Sequence, residues 1–375
     1  MKVLFVTTCP CFYRVEFFKE LGKHCDLTVV FEDGIQQYEK DKTTYYQIDA
    51  ENRYHIACLK RIRVKQYNYA IGLYRLIRKN RFDVVVFGIL ESLSCMRTME
   101  VMHRHHLPYI LNIDGLDEKD RGAIKNWAGR HFISMAPLLL SPSRSNDHVL
   151  ELHGAKKENI RRYSFASYHA GQMALQSLRK GDREEACRKL GLPVKRYVLS
   201  VSQLIPRKNP LGLLGVWKEV SSPDDVLILI GRGPMEQQVK DMIASERKEN
   251  VLLVPFSAPE TIPLYYRAAS FSVLFSHEDA WGLVISESLA NGTPVVATNA
   301  CYAATELLKD DFNGQVIDDD PAQLGKAMEK MLAKDERQMD QMSLNAIQSV
   351  KTYTVEHMVE EHMQIFQEFL GSDRE

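Results

Sequence analysis

The sequence has no excess of charge of either sign: 48 Lys and Arg stand against 49 Asp and Glu. A general attraction to nucleic acid is excluded, and any affinity for an anionic surface has to come from a local patch. No stretch approaches the roughly 18 consecutive apolar residues of a membrane span. The chain enters a strand pattern at once (KVLFVT, Lys2 to Thr7), without a cationic leader followed by a long apolar region. The expectation is a soluble cytoplasmic protein, at most peripheral on the inner face of the membrane. Cysteine is sparse and odd in number, seven residues scattered along the chain. The one close pair, Cys9-Pro10-Cys11, has a spacing that fits neither a zinc knuckle nor a C-x-x-C redox motif, so free thiols in a reducing compartment are expected. No GxGxxG follows the first strand, which removes the main support for a dinucleotide-dependent dehydrogenase. Internal repeats and low-complexity runs are absent.

What is present is an alternation of short apolar runs with helical patterns. Lys2 to Thr7, a helix carrying Val15, Phe17, Phe18 and Leu21, and the run Asp26 to Phe31 form an opening βαβ unit. Further strands are expected at Asp83 to Gly88, Tyr109 to Ile113, Leu138 to Ser143, Tyr197 to Val201, Val226 to Gly231 and Val251 to Pro255. A chain of 375 residues is too long for one ordinary core. It divides on this reading into a first domain over 1–165, a linker over 166–195 and a second domain over 196–354, with a helical tail over about 355–375. The fold class is α/β, two doubly wound Rossmann-like domains.

The most informative stretch is Phe275 to Asn299, FSHEDAWGLVISESLANGTPVVATN. A buried strand leads into a polar loop, a helix follows from Leu283 to Asn291, and Gly292 and Pro294 stop it before a second strand. A strand, a glycine-bearing loop and a helix N-terminus make an anion site, because unpaired N–H groups and the helix dipole point at whatever binds there. Asp279 and Glu287 flank it. Diphosphate on the N–H groups and hydroxyls on the carboxylates describe a sugar nucleotide. Arg207 and Lys208, at the end of the Tyr197 to Val201 strand, add cationic charge that can stabilise a departing diphosphate. Asp114 ends the Tyr109 to Ile113 strand; it either orients or deprotonates an acceptor hydroxyl, or caps the turn at Gly115. Basic residues from Arg53 to Arg81, interleaved with Tyr and Leu, read either as a helix lying on an anionic membrane or as a solvated helix face. The amphipathic helix Ala123 to Met135 is expected to cover the sheet.

Asp279-x7-Glu287, with Trp281-Gly282-Leu283 inside it and Gly292-Thr293-Pro294-Val295-Val296-Ala297 after it, resembles the Glu-x7-Glu segment of family 4 glycosyltransferases. The resemblance extends to Lys208, to the turn Gly231-Arg232-Gly233-Pro234, to Asn313-Gly314 and, more diffusely, to Pro10-x-x-Tyr13-Arg14 with Phe17-Phe18. It departs from the family pattern at Gln203, where Arg is usual, and at Asp279, one methylene shorter than Glu. The resemblance implies a GT-B fold with two domains facing across a cleft, the last helix packed back on the first domain, and transfer with retention and without a bound metal. On that footing Lys208 and Arg207, the Leu283 and Val284 N–H groups and Gly231 hold the donor diphosphate. Glu287 holds the ribose, Asp279 the donor sugar, Asp114 the acceptor, and the loop Phe256 to Pro259 the base. Tyr13 and Arg14 face the cleft or form a solvated helix start. No cofactor is implied: the donor is a nucleotide-diphosphate sugar, expected to be a UDP-sugar. The acceptor is a saccharide or lipid-linked saccharide in bacterial surface polysaccharide biosynthesis, with peripheral contact to an anionic membrane and no nucleic acid. The competing readings are a nucleotide-sugar epimerase, a sugar phosphorylase and a catalytically decayed scaffold.

Overall fold

The computed structural model describes residues 1–33, 53–64, 67–90, 92–116, 123–245, 250–255 and 261–372. The chain forms two compact units, 1–167 together with 354–375, and 168–353. Of the linker expected over 166–195, residues 166–167 count with the first unit and 168–195 with the second.

In the first unit the strands are β1 (Lys2–Thr7), β2 (Asp26–Phe31), β3 (His55–Ile56), β4 (Lys60–Val64), β5 (Tyr67–Ile71), β6 (Val84–Phe87), β7 (Ile110–Asn112), β8 (Leu138–Ser141) and β9 (Ile160–Arg162). Seven of them make one sheet in the order β3-β2-β1-β6-β7-β8-β9, and every pairing in it is parallel. The first five residues after Lys2 and the whole of β6 and β8 are buried. Continuous apolar runs of this kind are what a parallel sheet covered on both faces requires. The covering helices are α1 (Phe12–Leu21), α2 (Leu73–Asn80), α3 (Leu93–Arg104), α4 (Ala123–Met135) and α5 (Arg144–Leu152). The strand order reverses between β1 and β6, so the switch point of the sheet lies beside the carboxyl end of β1.

The basic stretch is not one helix. β4 and β5 pair antiparallel, Ile62 opposite Tyr69 and Lys60 opposite Ile71, and only Leu73–Asn80 is helical. The period-two alternation of Lys60 to Val64 and Tyr67 to Ile71 outweighs the helical pattern suggested by composition. Residues 34–66, which alternate polar and aromatic side chains without clear periodicity, are expected to form strands and loops; β3 and β4 fall within them, while 34–52, 65 and 66 lie outside the described residues.

The second unit opens with α6 (Lys180–Lys189) and carries β10 (Arg196–Val201), α7 (Pro210–Val220), β11 (Asp225–Ile230), α8 (Glu236–Ser245), β12 (Val251–Val254), α9 (Ile262–Ala268), β13 (Ala269–Leu274), α10 (Leu283–Ala290), β14 (Val295–Thr298), α11 (Tyr302–Leu307), β15 (Gly314–Ile317), α12 (Pro321–Leu332) and α13 (Glu336–Ser349). Its six-stranded parallel sheet runs β12-β11-β10-β13-β14-β15, with the reversal between β10 and β13. Trp217 of α7, Phe271 and Val273 of β13, and Leu324 and Met328 of α12 fill one side of that sheet. The last helix, α14 (Val355–Ser372), groups with the first unit. There its fully buried His362 lies 4.7 Å, between ring centroids, from both Phe17 and Tyr163.

Candidate active site

In the second unit the chemistry gathers at the two strands that flank the reversal. β10 ends in a single 3-10 turn, Pro206–Lys208, whose Asn209 cap adopts φ 49° and accepts the Gly212 N–H at 3.2 Å. β13 ends in the loop 275–282. The two loops are stitched together: the His277 N–H donates to the Arg207 carbonyl at 2.8 Å. The second loop is also tied to the segment after β14, through the Asp279 N–H on the Ala300 carbonyl at 3.1 Å and the Ala303 N–H on the Trp281 carbonyl at 2.8 Å. This scaffold brings the Lys208 ammonium onto Asp279 Oδ2 as an ion pair. Arg207, half-exposed, donates to the Glu278 carbonyl at 3.2 Å and approaches Asp279 Oδ1 to 3.6 Å. Arg207 and Lys208 thus converge on Asp279, the residue expected to contact donor sugar. Gln203 puts no cation at the position where the family pattern has one.

Gly282 precedes α10 with φ 93°, a conformation that a residue with Cβ adopts only under strain. The helix begins at once behind it with no side-chain cap. The N–H groups of Leu283 and Val284, in the first helical turn, have no intrahelical acceptor. The glycine turn after β11, which holds Gly231, packs closely on the segment that follows β10. A Cβ on Gly231 would lie 1.8 Å from the Ser202 carbonyl oxygen, and one on Gly233 would lie 2.3 Å from that of Leu204. Both glycines are required by the packing of backbone on backbone, with the Leu204 N–H donating to the Arg232 carbonyl at 2.9 Å.

Glu287, one turn into α10, is part of a network the sequence did not disclose. Tyr266 of α9, fully buried, is 3.4 Å from Glu287 Oε2 and 3.3 Å from the Val284 carbonyl. Asn291 donates back to the Glu287 carbonyl at 2.9 Å and to the Tyr168 hydroxyl at 3.2 Å, and accepts from Arg267 at 3.1 Å. Burial first and the Glu287 charge second push the Tyr266 and Tyr168 hydroxyls above their ordinary pKa, so both remain protonated donors. A neighbouring groove of about 620 Å³ is lined by Met173, Leu175, Leu178, Asp182 and Arg267; it contains none of Lys208, Asp279 and Glu287. The base-binding expectation for Phe256 to Pro259 falls outside the described residues.

In the first unit, Asp114 follows β7 and Arg14 lies in the first turn of α1. Arg14 is not part of a solvated helix start: it is 3% exposed and ion-paired with Asp114 Oδ2. Asp114 Oδ1 accepts the Tyr163 hydroxyl at 2.6 Å and Asn112 Nδ2 at 3.0 Å. Burial is the largest influence and opposes the Arg14 charge, but Asp114, followed by Tyr163 and Tyr13, together outweigh it, and the guanidinium pKa is raised. The turn that Asp114 would cap on the alternative reading runs into residues 117–122, outside the described residues. Nothing in the spacing of Asn112, Asp114 and Tyr163 signals the cluster, because Tyr163 lies 49 positions beyond its carboxylate partner.

The parallel units, each reversing its strand order beside a charged cluster, define an α/β protein of the GT-B fold. Residues 182–349 match the family model described as Glycosyl transferases group 1. That region belongs to this family, in keeping with the family 4 resemblance. Among curated proteins, the chain is 29% identical over 160 residues to an alpha-monoglucosyldiacylglycerol synthase of Streptococcus pneumoniae, spanning 42% of this chain and 36% of the relative. It is 28% identical over 198 residues to a D-inositol 3-phosphate glycosyltransferase of Acidothermus cellulolyticus, spanning 49% and 43%. The chain therefore spans less than half the length of these relatives. Among solved structures, the Anabaena protein Alr3699/HepE, crystallised in complex with UDP, superposes with a TM-score of 0.79 at 14% identity, covering 98% of this chain and 100% of that one. A sucrose-phosphate synthase of Thermosynechococcus elongatus gives 0.77 at 14% identity, over 99% and 100%. These two likenesses support the fold.

Proposed function

We propose that the chain is a glycosyltransferase that moves a sugar from a nucleoside diphosphate sugar, specifically a UDP-sugar, to a saccharide or lipid-linked saccharide hydroxyl with retention of configuration, in the assembly of bacterial surface polysaccharide. The observation that carries this reading is the pairing of Lys208 with Asp279 beside the strand reversal, next to the uncapped start of α10. The complex of Alr3699/HepE with UDP and the lipid and inositol acceptors named for the curated relatives support the donor and acceptor classes.

On this reading the bond between the anomeric carbon and the β-phosphate oxygen breaks, and a bond from that carbon to the acceptor oxygen forms on the same face. The charge growing on the diphosphate is met by the Lys208 ammonium, by Arg207 and by the first N–H groups of α10. Glu287, steadied by Tyr266, accepts the ribose hydroxyls, and Asp279 faces the donor sugar while tethering Lys208. Asp114 already accepts from Arg14, Asn112 and Tyr163, so its role is to orient the acceptor hydroxyl. Peripheral contact with an anionic membrane belongs to the same proposal and rests on Lys60, Arg61, Arg75, Arg78, Lys79 and Arg81, all exposed on the first unit. Among the described residues no helix is long and apolar enough to cross a membrane.

Calorimetric titration with UDP-, GDP- and ADP-sugars tests the reading. We expect binding of a UDP-sugar by the wild type and a loss of about tenfold or more in Glu287→Ala, the scale of a hydrogen bond to a charged group. Absence of binding to every sugar nucleotide would overturn it.

A further inference from the structure

Cys9 and Cys11 lie immediately after β1. The Cys11 N–H donates to the Cys9 carbonyl at 2.9 Å, which folds the three residues into a tight turn around Pro10 and puts both side chains on one side. Their sulfurs are 3.1 Å apart, in hydrogen-bond contact, and both residues are half-buried. Cys11 is also the residue that opens α1: its carbonyl accepts the Arg14 and Val15 N–H groups, each at 3.0 Å. A covalent change at this turn is therefore transmitted to the helix that carries Arg14, the partner of Asp114.

The other thiols are set apart by their surroundings. Cys95, Cys187 and Cys301 are buried, and burial pushes Cys25 up to about 11 and Cys301 up to about 12. At Cys11 the hydrogen bond from Cys9 is the largest influence; it and the Arg14 charge outweigh burial and the Asp114 carboxylate and bring the thiol down to about 7. The groups that face this thiol are Cys9, Tyr13, Arg14 and Asp114. Thiolate character and access are what select a cysteine for oxidation.

We propose that Cys9 and Cys11 are a redox-active dithiol that a hydroperoxide closes to a disulfide, loosening the first turn of α1 and with it the Arg14–Asp114 pair. The consequence for transfer rests on the reading of Asp114 as the acceptor-side carboxylate. The Cys11 thiolate attacks the peroxide O–O bond; the sulfenic acid forms and, with hydrogen peroxide, water leaves. Cys9 then attacks the sulfenyl sulfur, the S–S bond forms, and the hydroxide expelled leaves as a second water with the Cys9 proton. Two thiols and one peroxide give one disulfide and two waters. Closure to the S–S distance of about 2.0 Å draws the sulfurs together by roughly 1 Å, and the Cys11 carbonyl holding the first turn of α1 is drawn with them.

The full-length protein is treated with equimolar hydrogen peroxide at pH 7, alkylated, digested and mapped by mass spectrometry. The peptide holding both cysteines is expected to lose two hydrogens, to escape alkylation and to recover with dithiothreitol. Exposed Cys58, which has no thiol beside it in sequence, is the internal control. Hydrogen exchange at the Arg14 and Val15 amides is expected to quicken about tenfold or more on oxidation, as local opening becomes easier. Cys9→Ser and Cys11→Ser should abolish both responses. These readouts involve no sugar nucleotide, so they stand or fall separately from the transferase reading. A pair that stays alkylatable at peroxide levels that convert Cys58, or a disulfide that leaves exchange in α1 unchanged, would overturn the proposal.

Discussion

Each unit holds one cation–carboxylate pair near the reversal of its sheet, and the two pairs are built differently. In the first unit Arg14 is 3% and Asp114 27% exposed, and the carboxylate takes two further hydrogen bonds from Tyr163 and Asn112, so what sets this pair apart is its bonding network and not deeper burial of its carboxylate. In the second, Lys208 and Asp279 are 9% and 14% exposed, and the remaining help comes from half-exposed Arg207 at 3.6 Å. A planar guanidinium in a fixed fork is suited to hold one geometry, whereas a single ammonium on a four-carbon stem can leave one anion for another. The first pair is a fixture. The second is exchangeable, as the proposed role of receiving a diphosphate requires.

The strongest way to break this contrast is to remove Asp114. Asp114→Ala leaves Arg14 buried and charged with no carboxylate, and truncating one partner of a buried pair costs about 3–5 kcal/mol. We expect a loss of that size in the unfolding free energy read from urea denaturation. The double variant Arg14→Met with Asp114→Leu should recover part of it, because replacing both charges by apolar groups is often close to neutral while the buried Tyr163 hydroxyl still loses its acceptor. If Asp114→Ala unfolds at the wild-type midpoint, the pair is not a fixture.

A second difference concerns acid. The first unit packs the fully buried His362 of α14 close to the Arg14–Asp114 pair, with Nδ1 donating to the Met358 carbonyl at 2.7 Å. Burial, with a smaller contribution from the Arg14 charge, pulls the imidazole down to about 4 from the ordinary 6.5, against the opposing effects of the Met358 hydrogen bond and Asp114. The unfolded chain then binds a proton that the folded chain refuses between pH 6.5 and 4. Stability falls as pH drops through that window and the loss is complete below it, amounting to about 3 kcal/mol. Denaturation followed from pH 7.5 to 4 should show this slope for the wild type and a shallower one for His362→Leu.

Much of the second unit was legible because its strands are short, continuous apolar runs and its loops carry glycines at obligatory turns. The helix expected over Leu283 to Asn291 is Leu283–Ala290, and Lys208 and Asp279 do come together. What escaped were partners joined only by the fold. Tyr266 reaches Glu287 from 21 positions away, and Asn112, Tyr163 and His362 converge near Asp114 from three separate elements. A buried tyrosine or histidine reads as core until its neighbours are known. The hairpin of β4 and β5 was half legible: Lys60 to Val64 falls in the stretch expected as strands and loops, whereas Tyr67 to Ile71 sits among Lys and Arg in a stretch whose composition suggests a helix, and only its pairing with β4 decides for a strand.

The smallest expected effect on folding is the sharpest test of the contrast. Lys208→Ala removes the closer partner of Asp279, but that carboxylate keeps the Arg207 guanidinium within 3.6 Å and retains 14% exposure. It is therefore left neither unpaired nor fully desolvated, and we expect the denaturation midpoint to shift by less than about 1 kcal/mol, the scale of a partly exposed ion pair. Transfer should respond in the opposite sense. If the ammonium meets charge that develops as the diphosphate departs, its loss falls on kcat by about 10²–10³, as for other groups aimed at transition-state charge. Donor affinity should change much less. Lys208→Arg keeps the charge but not the reach or the point-like geometry, and should restore only part of the rate. A Lys208→Ala protein that unfolds early and turns over normally would reverse the assignment, making the second pair the fixture.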